Sequence, residues 1–170
     1  MVRTRHLIVL LALTAMLPVL APAAPAQARE SVAFSAKATP GTIVVRTSER
    51  RLYYVTGDGR AIRYTVGVGR AGMKWYGTTH IVNMALKPAW TPPMELLGGR
   101  EPYVIPGGSP KNPMGAGALV LADHELAIHG TNNPGSIGGF VSHGCIRMHN
   151  ADILDLFGRV SAGTQVVIAH

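Results

Sequence analysis

The pattern that most constrains the fold is a series of short apolar runs separated by turn residues, which begins at Thr42. Ile43 to Val45 and Leu52 to Val55 are brief, and Gly57-Asp58-Gly59 separates them from a further run, Ala61 to Val68. Runs of this length, rich in Val, Ile and Tyr, are typical of strands rather than of helices. We therefore expect a meander of antiparallel strands in this part of the chain.

Later segments show the same composition. Thr79 to Leu86 is a candidate strand, and Val166 to Ile168 is a candidate closing strand. Ala118 to Leu121 and Leu126 to His129 bracket residues 122–125 in the manner of a β-hairpin. Strands are therefore predicted through most of the chain.

Near the C-terminus the apolar period changes from that of a strand to that of a helix. Asn150 is a favourable N-cap, and Gly158 is a residue type at which helices often end. Because the chain has neither an internal repeat nor room for a second domain, the sequence predicts one mainly β domain with one or two short helices. The apolar stripe of the predicted helix comprises Ile153, Leu154, Leu156 and Phe157.

Residues 88–117 interrupt the regular pattern, because they contain seven of the twelve prolines. Proline lacks a backbone donor and ends regular elements, so this stretch is predicted to be a long connection. A connection of this length in a compact domain is usually either a functional loop or a disordered one. The composition of the stretch leaves both readings open.

The first 28 residues have the features of a secretory signal peptide. Two arginines precede the uncharged apolar run Leu7 to Leu17, and Ala26-Gln27-Ala28 is a small-residue cleavage site. A transmembrane helix needs about 20 apolar residues, so an uncleaved anchor is the less favoured alternative. We expect an exported protein of the periplasm or cell wall, without stable membrane insertion. It would begin at Arg29 with a flexible lead-in, residues 29–39.

Charge and cysteine content exclude several classes of protein. The chain has 16 Lys and Arg against 9 Asp and Glu, a formal net charge of +7, but its basic residues are scattered. A nucleic-acid partner is therefore not expected. The single cysteine excludes an internal disulfide, a multi-cysteine zinc finger and an iron–sulfur cluster. The positive charge suits an anionic cell envelope, although solubility alone explains it equally well.

The stretch from Ile128 to Asn150 contains the single cysteine, three of the seven histidines and five of the twenty glycines. Cys145 directly follows Gly144, and Arg147 would point to the same side of an extended chain as Cys145. An isolated cysteine is commonly a small buried apolar residue. The glycine, which leaves backbone N–H groups open, and the neighbouring histidines favour a nucleophile instead.

A cysteine nucleophile needs a base, because a thiol with the reference pKa of about 8.5 is only slightly ionised at neutral pH. His143 lies two residues before Cys145 and would share a face with it in an extended segment. His129 ends the preceding predicted strand and can approach from a neighbouring one. The spacing alone does not decide between these two histidines.

A metal site is a further alternative, because imidazole and thiolate are ligands that zinc accepts. No pair of the candidate ligands has the compact spacing of common zinc signatures, and no carboxylate is interleaved near the cysteine. We therefore predict no metal. The candidate ligands are His124, His129, His143, Cys145 and His149.

The segment from His129 to Asn150, HGTNNPGSIGGFVSHGCIRMHN, resembles the catalytic signature of the L,D-transpeptidases, which are cysteine enzymes of bacterial cell-wall assembly. His-Gly-Thr followed by Ser-His-Gly-Cys-Ile-Arg is a highly specific combination. The similarity extends over about residues 40–169, which we take as the catalytic domain. Further matching segments are residues 64–69 (YTVGVG), 88–93 (PAWTPP), 112–115 (NPMG), 150–154 (NADIL) and 163–168 (GTQVVI).

The resemblance implies a mixed β-sandwich with a flap over the active site, for which residues 88–117 are the candidate. It also implies Cys145 as nucleophile, His129 as general base and acid, and the carbonyl of Gly130 as the group that orients the imidazole. No metal or organic cofactor is implied. The implied oxyanion donors are the backbone N–H groups of His143, Gly144 and Cys145, and the implied substrate-binding residues are Arg147, Ser142, Thr131 and Trp90.

The reaction implied by the resemblance is acyl transfer between stem peptides of peptidoglycan. The cysteine attacks the carbonyl of the third residue of a stem tetrapeptide, D-alanine leaves, and the amine of another stem peptide takes the acyl group. Water as acceptor would make the protein an L,D-carboxypeptidase, and an envelope protein as acceptor would be anchored to the wall. A non-catalytic wall-binding module is the least favoured alternative, because a binding module needs no nucleophile.

Overall fold

The fold is described here from a computed structural model of the chain, in which residues 29–35, 37–122 and 126–170 are described. The predicted signal peptide, residues 1–28, and His124 lie outside them. Over the described ranges, no helix has the length and apolar character needed to cross a membrane. The elements are β1 (Glu30–Ala33), β2 (Ile43–Arg46), β3 (Arg51–Gly57), β4 (Arg60–Thr65), β5 (Val68–Gly69), β6 (Gly77–Leu86), α1 (Met94–Leu97), β7 (Gly117–Leu121), β8 (Ala127–His129), β9 (Phe140–Ser142), β10 (Ile146–Arg147), α2 (Asn150–Phe157) and β11 (Gln165–Ala169).

Nine of these strands form one mixed sheet in the order β1-β4-β3-β2-β11-β6-β7-β8-β10, and β5 pairs with β9 separately. The predicted meander is confirmed, since β2, β3 and β4 are successive antiparallel neighbours. The predicted hairpin is confirmed in the antiparallel pair β7 and β8. Two neighbour pairs in the sheet are parallel, namely β2 with β11 and β8 with β10.

The long strand β6 belongs to both halves of this sheet. Its residues 77–80 pair with β11, and residues 81–86 pair with β7. A register shift between Ile81 and Asn83 interrupts the second pairing, and such a bulge bends a strand and increases its twist. Apolar side chains from both halves and from α2 meet in one core cluster. The expected mainly β, mixed sandwich with few helices is confirmed.

The lead-in that was expected to be flexible is instead part of the sheet. β1 pairs antiparallel with β4, and Phe34 packs on Tyr53 with ring centroids 4.9 Å apart. Since side chains alternate along a strand, Val44 and Tyr53 point to the opposite face from the main core and need their own apolar cover. Phe34 supplies it, and Val32 packs against the same cluster. A lone aromatic residue among mostly small residues gives little indication of this role in the sequence.

The C-terminal helix α2 differs from the prediction in two details. Asn150 is its first helical residue and His149 occupies the cap position, because the Asn150 side chain bonds to neighbouring loops instead. Ile153 and Leu156 are fully buried, whereas Leu154 is 47% exposed. The predicted stripe was therefore one residue too wide.

The connection formed by residues 88–117 is ordered by backbone and side-chain hydrogen bonds rather than by long elements. Trp90 and Ile105 exchange two backbone hydrogen bonds, of 2.9 and 2.8 Å. The buried Asn112 amide donates to the carbonyl of Pro88 at 2.8 Å and to that of Ile105 at 3.2 Å, while its Oδ1 accepts from the Met114 N–H at 2.9 Å. The Asn112 side chain therefore links the start of the connection, at Pro88, to its end, at Met114.

Candidate active site

The parallel pairing of β8 with β10 brings the two halves of the motif together. In this register Arg147 lies opposite His129, and Ile146 lies opposite Ile128. Cys145 directly precedes β10, so its sulfur lies near the end of β8 although sixteen residues separate it from His129 along the chain. The topology therefore places the cysteine beside the more distant histidine.

His129 is held in one tautomer by its own chain. The side chain is 4% exposed, and its Nδ1 donates to the carbonyl of Gly130 at 2.7 Å. That bond leaves the Nε2 lone pair as the proton acceptor of the ring. Burial lowers the pKa of His129 to about 4, and the charge of Arg147 acts in the same direction. The imidazole is therefore neutral at pH 7.

Cys145 is a thiol in the resting protein. Burial raises the pKa of its thiol, and this effect outweighs the backbone N–H of Ala127 and the charge of Arg147, both of which favour the thiolate. Because His129 is also uncharged, the resting pair consists of a neutral thiol and a neutral imidazole. The effect of the Ala127 N–H on the pKa of Cys145 was not predicted, because every residue except proline has a backbone N–H and the sequence does not show where it points.

Ser142 and Gly144 shape the turn that presents the cysteine. The Ser142 hydroxyl donates to the carbonyl of Cys145 at 2.6 Å and accepts from the N–H of Gly144 at 3.1 Å. Gly144 has a φ of 127°, and a Cβ there would lie 2.8 Å from Leu126 Cδ2. The implied roles of these two residues therefore change. The Gly144 N–H is already engaged, and the fully buried Ser142 supports the turn rather than facing a substrate.

His143 lies at the exposed rim of the site. Its Nε2 is 2.7 Å from a guanidinium nitrogen of Arg70, whose backbone N–H donates to the carbonyl of Ser142 at 3.0 Å. Since a guanidinium is always a donor, the Nε2 atom is the acceptor of this bond. The contact of Arg70 with His143 was not predicted from the sequence, because the two residues are seventy-three positions apart and no motif spacing connects them.

Two cavities meet at Cys145, and both also involve His143. The smaller, of about 110 Å³, is lined by His129 and Arg147, and the larger, of about 340 Å³, is lined by Glu95. Trp90, Pro93 and Leu96 of the 88–117 connection line one or both cavities, so this connection covers the cysteine as the flap hypothesis requires.

Thr131 lies outside both cavities. It is buried, its hydroxyl accepts from the N–H of Asn133 at 3.0 Å, and it lines a separate cavity of about 430 Å³. The structure therefore does not bring Thr131 together with Cys145, unlike Trp90 and Arg147.

Asn150 joins the loops on either side of the histidine strand. Its Oδ1 accepts from the N–H groups of Ala116 and Thr131, both at 3.0 Å, and its Nδ2 donates to the Thr131 carbonyl at 3.0 Å. A Cβ on Gly130 or on Gly115 would collide with the same Oδ1. The Asn150 side chain therefore fixes the loop that contains Gly130, whose carbonyl orients His129.

Metal ligation finds no support among the residues of the described ranges, where no three His, Cys, Asp or Glu side chains come close enough to hold an ion. His124, one of the candidate ligands, lies outside those ranges. Cys145 is free and partly buried. The described side chains around the two cavities at Cys145 include two imidazoles, a guanidinium and the carboxylate of Glu95.

Comparison with known proteins identifies relatives of this chain. A profile of the L,D-transpeptidase catalytic domain (YkuD) matches residues 40–168. The chain is 40% identical over 135 residues to the protein named Probable L,D-transpeptidase YbiS of Escherichia coli strain K12, with 73% of this chain and 43% of that protein aligned. The chain thus spans less than half the length of this curated relative.

Solved structures share the fold at low sequence identity. L,D-transpeptidase 3 from Mycobacterium tuberculosis superposes with a TM-score of 0.60 and 15% identity, covering 76% of this chain and 60% of that one. The catalytic domain of the E. faecium L,D-transpeptidase acylated by ertapenem has a TM-score of 0.58 and 20% identity, covering 75% of this chain and 95% of that one. Since the family profile covers strands β2 to β10, the cysteine loop, α2 and nearly all of β11, this chain belongs to the L,D-transpeptidase catalytic-domain family.

Proposed function

We propose that the protein is an L,D-transpeptidase, which cleaves a stem tetrapeptide of peptidoglycan and transfers the shortened acyl group to an amine. The observation that carries this proposal is the pairing of Cys145 with His129 at one cavity, with the His129 Nδ1 proton committed to the Gly130 carbonyl. A nucleophile, a base and a group that orients the base are the parts that covalent acyl transfer needs. A backbone carbonyl replaces the carboxylate used as third member elsewhere.

In the first step, the Cys145 sulfur attacks the carbonyl carbon of the third residue while its proton passes to His129 Nε2. The carbonyl oxygen becomes an oxyanion, which we assign to the backbone N–H groups of His143 and Cys145. When the intermediate collapses, the carbon–nitrogen bond breaks and the imidazolium returns its proton to the departing amine of D-alanine. A thioester remains.

The low pKa of His129 favours the second half of this exchange, in which the imidazolium returns its proton. An imidazole with a pKa of about 4 forms an imidazolium only transiently, and that imidazolium is a strong acid towards the leaving amine. In the second step the acceptor amine attacks the thioester, gives its proton to Nε2, and the thiol is restored from the imidazolium. Arg147 lines the same cavity and would bind the carboxylate of D-alanine by charge-assisted hydrogen bonds.

The test is the product formed from a disaccharide tetrapeptide. Purified protein should release D-alanine and yield a dimer with a 3→3 crosslink, resolved by chromatography and mass spectrometry. Tripeptide alone would identify an L,D-carboxypeptidase, and transfer only to an added envelope protein would identify an anchoring enzyme. Cys145→Ala should abolish every product while circular dichroism stays unchanged. Crosslinking by that variant would disprove the mechanism.

Acylation by a carbapenem is a second expected property. The E. faecium relative of known structure is acylated by ertapenem, and a strained lactam carbonyl can react with Cys145 by the first step above. Intact-protein mass spectrometry should show one ertapenem adduct on the wild type and none on Cys145→Ala. An unmodified wild type would contradict the prediction.

We also propose that the protein is exported to the periplasm or cell wall, on the basis of the pattern in residues 1–28. N-terminal sequencing of protein recovered from the cell envelope should begin at Arg29. Protein that keeps Met1 and remains inside the cell would contradict export.

A further inference from the structure

The two cavities that meet at Cys145 differ in charge and in the character of their walls. The smaller one contains His129 and the cationic Arg147. The larger one has mainly apolar walls and, among the described residues that line it, a single carboxylate, that of Glu95. The apolar walls are formed by Met73, Pro93, Leu96 and Leu126.

The position of His129 determines which part of the donor belongs in each cavity. In the proposed mechanism the same Nε2 atom protonates the leaving amine and later accepts the proton of the attacking amine. Both amines must therefore lie on the side of Cys145 that His129 lines, which is the smaller cavity. A space of about 110 Å³ next to Arg147 suits one small amino acid with a free carboxylate.

The acyl part of the donor then extends to the other side of the sulfur, into the larger cavity of about 340 Å³. A side chain that fits there needs an apolar stem for the walls and a cationic end for the carboxylate. Long amine side chains have this construction, since their methylene groups pack on apolar surfaces while the ammonium remains at a polar site.

We propose that Glu95 determines specificity by binding the side-chain ammonium of the diamino acid at the third position of the donor. This inference rests on the proposed function. Glu95 lies in α1, which begins after Pro93 and buries the side chain of Leu97. The carboxylate is therefore carried by an anchored turn beside the cysteine.

The experiment compares two tetrapeptide donors that differ only at the third residue, which is L-lysine in one and L-norleucine in the other. Norleucine keeps the methylene stem and lacks the ammonium. The measurement is kcat/KM for D-alanine release. The wild type should prefer the lysine donor by about fivefold, the upper range for an exposed ion pair. Glu95→Gln should bring this ratio close to one, and Glu95→Lys should bring it below one.

Glu101→Gln is the matched control, because Glu101 is an exposed carboxylate of the same connection that lines neither cavity. It should keep the wild-type ratio. A wild-type ratio near one, an unchanged ratio in Glu95→Gln, or an equal loss in Glu101→Gln would overturn the assignment. These results leave the proposed function standing as long as D-alanine is released.

Calorimetric binding to the Cys145→Ala protein separates recognition from chemistry. The lysine donor should bind more tightly than the norleucine donor, and Glu95→Gln in the same background should remove the difference. Equal binding of both donors to the Cys145→Ala protein would overturn the assignment. If the wild type releases D-alanine neither from these donors nor from the disaccharide tetrapeptide although the binding preference is present, the proposed function fails and the recognition by Glu95 stands.

Discussion

At the scale of single residues, the site depends on how burial and one guanidinium set the ionisation of two groups. Burial raises the pKa of the Cys145 thiol and lowers that of His129, so both groups are neutral at rest. Arg147 lowers both pKa values, because a positive charge favours a nearby anion and disfavours a nearby cation. Arg147 therefore favours the thiolate and keeps the base unprotonated.

Removal of this charge should make the thiol less reactive. Arg147→Gln is expected to raise the pKa of Cys145 further, and therefore to slow alkylation by iodoacetamide at pH 8 by several-fold. The single cysteine makes the rate easy to follow by mass spectrometry. Arg60→Gln, which removes an equal charge from β4, should leave the rate unchanged. An equal slowing in both variants would contradict the local effect.

The buried imidazole should also make stability depend on pH. His129 has a pKa of about 4 in the folded protein and about 6.5 when unfolded, so between these values the unfolded chain binds an extra proton. Stability should therefore be complete above pH 6.5 and fall as the pH drops towards 4. The loss expected between pH 7 and 4.5 is about 2–3 kcal/mol.

Urea unfolding of the wild type and of His129→Gln at the two pH values measures this contribution. The wild type should lose about 2–3 kcal/mol more than the variant across the interval, because glutamine does not titrate. Parallel losses in the two proteins would contradict the assignment of a depressed pKa to His129.

At the scale of secondary-structure elements, the loops beside β8 are held by one amide side chain. Asn150 Oδ1 accepts the N–H groups of Ala116 and Thr131, and Thr131 follows the carbonyl that orients His129. Asn150→Ala should destabilise the protein by about 2 kcal/mol, since two backbone donors lose their partner. It should also lower the rate of acylation, because the Gly130 carbonyl is no longer fixed.

Denaturant unfolding and the rate of adduct formation with ertapenem would measure these two effects. Asn132→Ala is the control, because the exposed Asn132 makes one long bond of 3.3 Å to the Pro110 carbonyl. The control should change neither quantity appreciably. A wild-type acylation rate in Asn150→Ala would show that the hydrogen bonds of the Asn150 side chain are dispensable for His129.

The elements themselves follow largely from the sequence. The strand runs, the hairpin and the closing strand were predictable because short apolar runs and the turn residues between them are local signals. The hydrogen bonds made by the Asn112 and Asn150 side chains could not be predicted, because each side chain connects backbone groups that are distant along the chain. The hydrogen bond from the Gly144 N–H to the Ser142 hydroxyl could not be predicted either, because the hydrogen bonds of a turn depend on dihedral angles that residue types do not specify.

At the scale of the whole molecule, the two faces of the β2–β3–β4 region are covered by different parts of the chain. The inner face joins the main core with α2, and the outer face is covered by Phe34 after β1. The apolar stripe of α2 was predicted from the sequence, whereas the role of Phe34 was not, because one aromatic residue among mostly small residues is a weak signal. The segment before residue 40 is therefore part of the folded domain.

Phe34→Ala should test this cover. Truncation of a buried phenylalanine that packs on Tyr53 is expected to cost about 3 kcal/mol of unfolding free energy. Leu154→Ala, at the exposed position of α2, should cost less than about 0.5 kcal/mol. Equal losses in the two variants would contradict the placement of these side chains.

The protonated sulfur also bears on how well the protein resists oxidation. Oxidants such as peroxide react far faster with a thiolate than with a thiol, whether or not the cysteine is engaged in catalysis. A lone cysteine with a raised pKa, partly enclosed under the 88–117 connection, presents little of the vulnerable species between turnovers. The same burial that keeps the sulfur protonated thus protects it from oxidation to the sulfenic and sulfinic acids.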